Sequence, residues 1–435
     1  MKASERHPDI DLPSSPTHIV PSIPDGLPVG PPEVEMNKQM DKWFFMRPGF
    51  TRFRLEPDTD PEYLFGASDR RRRDNLLGAI EEACYSKDGH KAAIYGDYGL
   101  GKTHQCKNII YEIKRQNLPI KPVYIKCGAY GTKDPFHKLF GEMVLQHRTE
   151  ELQNIAIEYQ RMVQKGQASP LLEVVHSEEV HRVLSRGLTA VELDEVRNSM
   201  RWLGGEAKVE MGLISRSLPP QLKESQEFGA VMRGLAHMYQ AVEGKVLLYL
   251  IDEAERFQNI TQPDAFFSWA ASIRELTEIT GVGLIFLIGA KTRNELPVIF
   301  VQDEIVRRIG VTNYVELMNP GRDDLEGFVV ELLQTVILKG EVPKAHQDVV
   351  NKQALDSKVP DELRALTEDD PERLRAYPFE VDALSDFIEQ VTSGDLASKP
   401  SEVLIRLQKA AQRAMRLDAR TIDAKLVSDI NAEGF

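Results

Sequence analysis

Cysteine is scarce in this sequence: three residues in 435, Cys84, Cys106 and Cys127. An odd, sparse set without metal-ligand spacing excludes a disulfide framework and fits buried thiols in a reducing, cytoplasmic setting. Long apolar runs are missing too. No window approaches the ~18 uninterrupted apolar residues of a spanning helix, so no membrane partner is expected. The opening MKASERHPDIDLPSSP lacks the apolar centre of a secretory leader. Positive charge is in deficit: 54 Lys and Arg against 67 Asp and Glu give a formal net charge of −13. That excludes a surface gripping nucleic acid all round, which needs concentrated Lys and Arg, but leaves room for a local basic stripe. No internal repeat is visible.

What is present reads as a multi-domain globular chain. The first ~35 residues hold eight prolines and little apolar material, which suits an extended arm better than a packed domain. Trp43, Phe44, Phe45 and Phe50 follow as an aromatic cluster expected to pack the arm's end onto the body. Helical spacing starts at Asp69 in DRRRRDNLLGAIEEA. Apolar strands are expected at Lys91–Tyr95, Pro122–Cys127, Lys245–Asp252, Val282–Ala290 and Thr312–Met318, with helices between and after them. Strands alternating with helices indicate an α/β fold with a parallel sheet. The expected domains are an arm over 1–60, a nucleotide-binding α/β domain over 61–320 with a helical insertion near 135–242, and a helical domain over 321–435.

One short stretch carries the chemistry. Gly96-Asp97-Tyr98-Gly99-Leu100-Gly101-Lys102-Thr103 fits G-x-x-x-x-G-K-[ST] between an expected strand and an expected helix. Glycine lets successive N–H groups turn inward on phosphate oxygens, and the following helix offers its positive end to the same anion. Lys102 would reach the outer phosphates, and Thr103 would place its hydroxyl on Mg²⁺. The cofactors expected are therefore ATP and Mg²⁺.

The strand LLYLID ends in Asp252-Glu253, where an open α/β sheet places its ligands. Asp252 would hold Mg²⁺, and Glu253 would act as general base on the attacking water. The tetrad DEAE also suggests a helicase. That reading needs a Ser-Ala-Thr motif and a second sheet domain, and GAKTR followed by a helical remainder supplies neither. In GAKTR, Thr292 is the first candidate to orient the water and Lys291 the second, against a plain polar turn. Arg307 and Arg308 precede the fifth strand, where an arginine could project into a neighbour's nucleotide; an ordinary surface pair is the alternative.

Phosphate loop, acidic strand end, polar strand end, arginine pair and helical C-terminus together resemble the AAA+ ATPases. That resemblance implies a helical lid, matched by Tyr377–Ala414, and an oligomer, ring or filament, with ATP between subunits. Family members usually carry Pro-Arg at the start of a lid helix; here Ser401 follows Pro400, and Lys399 or Arg406 is the candidate substitute. GDYGLGKTH, with His104 joining the nucleotide set, the long insertion, RWLGGE (Arg201–Glu206) and LIDEAER are similar to a narrower group. It includes ATP-binding proteins of BREX phage-exclusion loci and relates to origin-initiator and transposition-regulator ATPases. What this implies is an ATP-gated regulator of a protein partner in DNA-linked work, such as phage defence or transposition control, with duplex DNA as a candidate ligand. A sensor scaffold that recognises a protein without DNA is the alternative. A threading motor is less favoured, GAYGTKD (Gly128–Asp134) being its nearest pore-loop candidate. The insertion helices and Trp202 are expected to pack, and Arg70–Arg73 to be solvated or ion-paired.

Overall fold

The structure, a computed structural model, describes residues 39–47, 50–53, 55–86, 89–128, 135–210, 218–259, 263–339, 359–393 and 399–432. The proline-rich arm up to residue 38 and most of GAYGTKD lie outside the described residues. Five apolar segments form one parallel sheet: β1 (Lys91–Gly96), β2 (Ile120–Lys126), β3 (Val246–Asp252), β4 (Val282–Gly289) and β5 (Tyr314–Leu317). Their order is β2-β3-β4-β1-β5. Pro122, which has no N–H to give a ladder, is tolerated because β2 is an edge strand.

Alternation along the strands feeds two cores. Tyr249, Ile251, Phe286 and Ile288 face the insertion helices: α3 (Pro135–Leu145), α4 (Thr149–Gln164), α5 (Leu193–Leu203) and α6 (Ser225–Glu243). Ile94, Leu248, Leu250 and Leu287 face α1 (Ala67–Tyr85) and α2 (Lys102–Arg115). The insertion is therefore fused to one sheet face by a single apolar cluster. Trp202 is buried in it and donates its indole N–H to the Pro219 carbonyl at 3.0 Å, so it anchors packing. All three cysteines are buried. Of the arginine run, Arg70 pairs with Glu331, Arg72 with Asp69, and Arg73 with Asp74. Among the described residues, no helix is long and apolar enough to cross a membrane.

A polar chain is buried under the insertion. Tyr239 and Lys121 both donate to the Glu151 carboxylate. A carboxylate only accepts, so the Tyr239 oxygen is left to accept from His147 Nδ1 at 3.0 Å. His147 Nε2 then accepts from the Tyr249 hydroxyl at 2.9 Å. His147 is neutral, its pKa pushed down to about 4 by burial and by the Lys121 charge.

The third core is helical. It joins α7 (Arg322–Val336), α8 (Val381–Thr392), α9 (Pro400–Arg416) and α10 (Ala424–Ala432). The aromatic segment expected at the arm's end packs into this core. Met40, Phe44, Phe50 and Phe53 are buried in its cluster. Trp43 donates to the Ala419 carbonyl at 3.0 Å, and Arg47 to those of Ile337 and Lys339 at 3.0 and 2.7 Å. The aromatic cluster thus packs on the lid, because that is where complementary apolar helix faces lie.

Candidate functional site

The phosphate loop forms as its glycines allow. Gly99 and Gly101 sit at φ +84° and +81°, a region costly to residues with a Cβ. Immediately after Gly101, α2 begins with no side-chain cap and no acidic residue in its first turn. Its orphan N–H groups are directed at the loop, as an anion site requires. Lys102 Nζ donates to the Gly96 and Asp97 carbonyls at 2.8 and 2.9 Å, which leaves a third proton for a phosphate oxygen. Burial is the main reason its pKa is lowered.

Sheet order brings the second half of the site alongside. The C-terminal ends of β1 and β3 flank that of β4, and the acidic pair meets the loop there. Thr103 donates its hydroxyl to Asp252 Oδ2 at 2.7 Å, across 149 residues of sequence. Tyr124 donates to the same oxygen at 2.9 Å, and the Glu253 N–H to Oδ1 at 2.8 Å. Asp252 is only 3% exposed, so these donors are what keep a buried carboxylate tolerable. The donor set suits Mg²⁺: hard oxygens from one hydroxyl and one carboxylate, with phosphates and waters to complete the shell. Glu253, at φ +58°, pairs with Lys126 at 2.9 Å and with Arg256.

A cavity of about 950 Å³ opens from this point, with α9 of the lid lining one side. Tyr98 to His104 line it along the loop, Asp252, Glu253 and Glu255 at the strand end. Leu55, Tyr63, Phe65, Phe328 and Leu404 supply an apolar wall. His104 Nε2 bonds the Tyr63 carbonyl, so it ties the loop's helix to this wall. Burial lowers its pKa. The lid seats directly on the loop: Lys399 Nζ pairs with Asp97 Oδ2 at 2.7 Å, and the Ser401 N–H donates to the Gly99 carbonyl at 3.3 Å. Asp97 has its pKa lowered, chiefly by that hydrogen bond from Lys399.

Of the sequence candidates, Gly96, Asp97, Thr292, Arg307 and Arg308 are not among the cavity-lining residues, and the last three belong to neither the loop nor the acidic strand end. Thr292 is exposed beyond the end of β4. Glu255 occupies the near position instead, accepting from the Gly289 N–H at 2.7 Å. Arg308 is engaged by Glu278 and by Glu304, the latter at 3.4 Å. Arg307 is exposed on the same short helix, Asp303–Ile309, and has no ion pair among the described residues. Sequence reading missed Glu255, Tyr124 and the wall from residues 55 to 65. The DEAER run could have pointed to Glu255; nothing local marks the others.

The sequence matches no protein-family model and no curated protein. Solved structures of similar chain trace exist. The ORC2 protein of Aeropyrum pernix, described as ADPNP-ADP complexes, is 11% identical; the match covers 87% of this chain and 71% of that one, at a TM-score of 0.45. Cdc6p of Pyrobaculum aerophilum is 9% identical over 87% of this chain and 71% of that one, at 0.44. The RuvB Holliday junction branch migration motor of Thermotoga maritima is 10% identical over 85% and 70%, at 0.36. At such identities and scores they carry no inference about activity or partner. The chain's own parallel sheet, with the phosphate loop between β1 and α2, gives an α/β P-loop fold.

Proposed function

We propose that the chain binds and hydrolyses ATP as an AAA+ switch whose assembly controls a partner in DNA-linked work such as phage defence or transposition control. The observation that carries the nucleotide reading is the bond from Thr103 to Asp252, which joins loop and acidic strand in the lining of the cavity. In this reading the loop N–H groups and Lys102 hold the phosphates. Thr103 and Asp252 would hold Mg²⁺, whose charge would oppose that building up on the leaving ADP. Glu253 takes the proton of the attacking water as the water oxygen bonds to the γ-phosphorus and the bond from that phosphorus to the β–γ bridging oxygen breaks, ADP leaving with that oxygen. Lys399, on the lid and 2.7 Å from the loop's Asp97, is the cation placed to report phosphate occupancy to the lid.

Assembly is supported by Arg307. It projects from a helix flanked by Val298, Val301 and Val311, which are 65%, 42% and 60% exposed. An apolar, cationic edge of this kind suits the nucleotide face of a second copy. The test is the solution mass of Glu253→Gln in ATP, with and without duplex DNA. A discrete larger species that takes up DNA is expected. An oligomer indifferent to DNA favours the protein-sensing scaffold, and a monomer under all conditions refutes ATP-gated assembly.

A further inference from the structure

We propose that Tyr124 is a positioning residue for the metal-holding carboxylate Asp252, with Lys107 clamping its ring, and that this pair sets how tightly Mg²⁺ joins the bound nucleotide. The inference rests on the nucleotide reading above and deepens it.

Asp252 is held at both oxygens. Oδ1 has the Glu253 N–H at 2.8 Å; Oδ2 has Thr103 at 2.7 Å and Tyr124 at 2.9 Å. Thr103 serves twice, giving its proton to Asp252 and keeping a lone pair for the cation. Tyr124 has no such second duty. It reaches Asp252 from the neighbouring strand, where β2–β3 register sets Tyr124 opposite Leu250 and Lys126 opposite Asp252. The ring is fixed from the helix side. Lys107 lies one turn after Thr103 on α2, so both side chains fall on one face. Its ammonium is 3.6 Å from the Tyr124 ring centroid and pairs with Asp58 at 2.8 Å. One helix face thus places the hydroxyl donor and the clamp on the ring of the second donor. Groups that orient a metal-holding side chain this way commonly tune affinity for the ion.

Tyr124→Phe in the full chain tests it, because the ring, its packing and the Lys107 contact stay while only the hydroxyl goes. The measurement is binding of a fluorescent, non-hydrolysable ATP analogue as Mg²⁺ is titrated, together with thermal unfolding. The Mg²⁺ midpoint is expected to rise about 10- to 100-fold, the usual effect of losing such an orienting group, with Mg²⁺-free binding unchanged and a lowered melting temperature because the buried carboxylate loses a donor. Lys107→Met, which loosens the ring and spares the hydroxyl, should shift the midpoint the same way but less. A Tyr124→Phe midpoint equal to or below that of wild type, with wild type showing ordinary Mg²⁺-dependent binding, overturns the role of Tyr124 alone. Loss of Mg²⁺-free binding or a lowered melting temperature without a midpoint shift makes Tyr124 merely structural and overturns it as well. A wild-type chain that binds no analogue overturns the nucleotide reading, and this inference with it.

Discussion

Replacing Gly99 should dislodge the lid, and the cost divides into two separable parts. The first is conformational. Gly99 sits at φ +84°, where a Cβ crowds the following carbonyl and an alanine loses about 1–2 kcal/mol. The second is steric. A Cβ at Gly99 would lie 2.1 Å from Ser401 Oγ and 3.2 Å from Ser401 Cβ, and the next neighbour, Lys399 Cδ, is at 3.8 Å. Rotation of the Ser401 side chain carries Oγ away, but Ser401 Cβ stays at 3.2 Å and the first turn of α9 must give by a few tenths of an ångström; overpacking of this kind costs about 1–3 kcal/mol. Gly101 supplies the control. Its φ is +81°, but nothing lies within 4 Å of its built Cβ, so Gly101→Ala carries the conformational part alone.

Ser401→Gly removes both clashing atoms. The double variant Gly99→Ala/Ser401→Gly should therefore recover the steric part and keep the conformational one. Amide hydrogen exchange of residues 400–412 in the nucleotide-free chain reads the lid directly. Protection there should fall about 5- to 150-fold more in Gly99→Ala than in Gly101→Ala, that factor being the 1–3 kcal/mol above. It should return to the Gly101→Ala level in the double variant. Additivity of the two single changes to within ~0.5 kcal/mol would refute a lid seated on the loop.

Lys102→Ala should abolish nucleotide binding in a fluorescence titration. Glu253→Gln should bind normally, with single-turnover hydrolysis at least about 100-fold slower; ordinary turnover by that variant would remove Glu253 as the base. Arg307→Ala should keep binding and lose multiple-turnover hydrolysis, whereas Arg308→Ala, which breaks the pairs with Glu278 and Glu304, should lower the melting temperature instead. His147 makes stability pH-dependent. Its folded pKa, about 4, lies below the unfolded value near 6.5, so the unfolded chain takes up the proton first. Stability is then full above about pH 6.5 and falls towards pH 4, by roughly 3 kcal/mol at most. Urea unfolding at pH 7 and pH 5 should show the drop in wild type and a smaller one in His147→Gln.

The parts of the site that could be read from sequence are those whose chemistry is contiguous in the chain. Eight residues from Gly96 to Thr103 make the phosphate loop with their own backbone, and two positive-φ glycines sit inside the motif. Asp252 was legible because an apolar strand ending in an acid has one plausible place in a parallel sheet. Thr292 shows where that reasoning weakens. Polar residues follow almost any strand, and here the chain is exposed from Lys291 to Glu295, so Glu255, from the segment after β3, holds the position near the loop. Residues 39–65 illustrate a second gap. Their aromatics predict burial but not against what, and the partner is a lid as much as 376 residues away, as the bond from Trp43 to Ala419 marks.

Tyr124 is the sharpest case, because nothing in PVYIKC distinguishes a core tyrosine from one that serves a carboxylate. Its hydroxyl finds Asp252 only through the β2–β3 register and the helix face shared by Thr103 and Lys107. A slip of one residue along β2 would turn the ring to the opposite sheet face, towards the insertion core. The apolar strand pattern that excludes such a slip therefore also aims the Tyr124 hydroxyl at the metal-holding carboxylate. On this account core packing and metal affinity are coupled through one register, and changes in β2 far from the cavity should be felt in the Mg²⁺ dependence before they are felt in nucleotide binding.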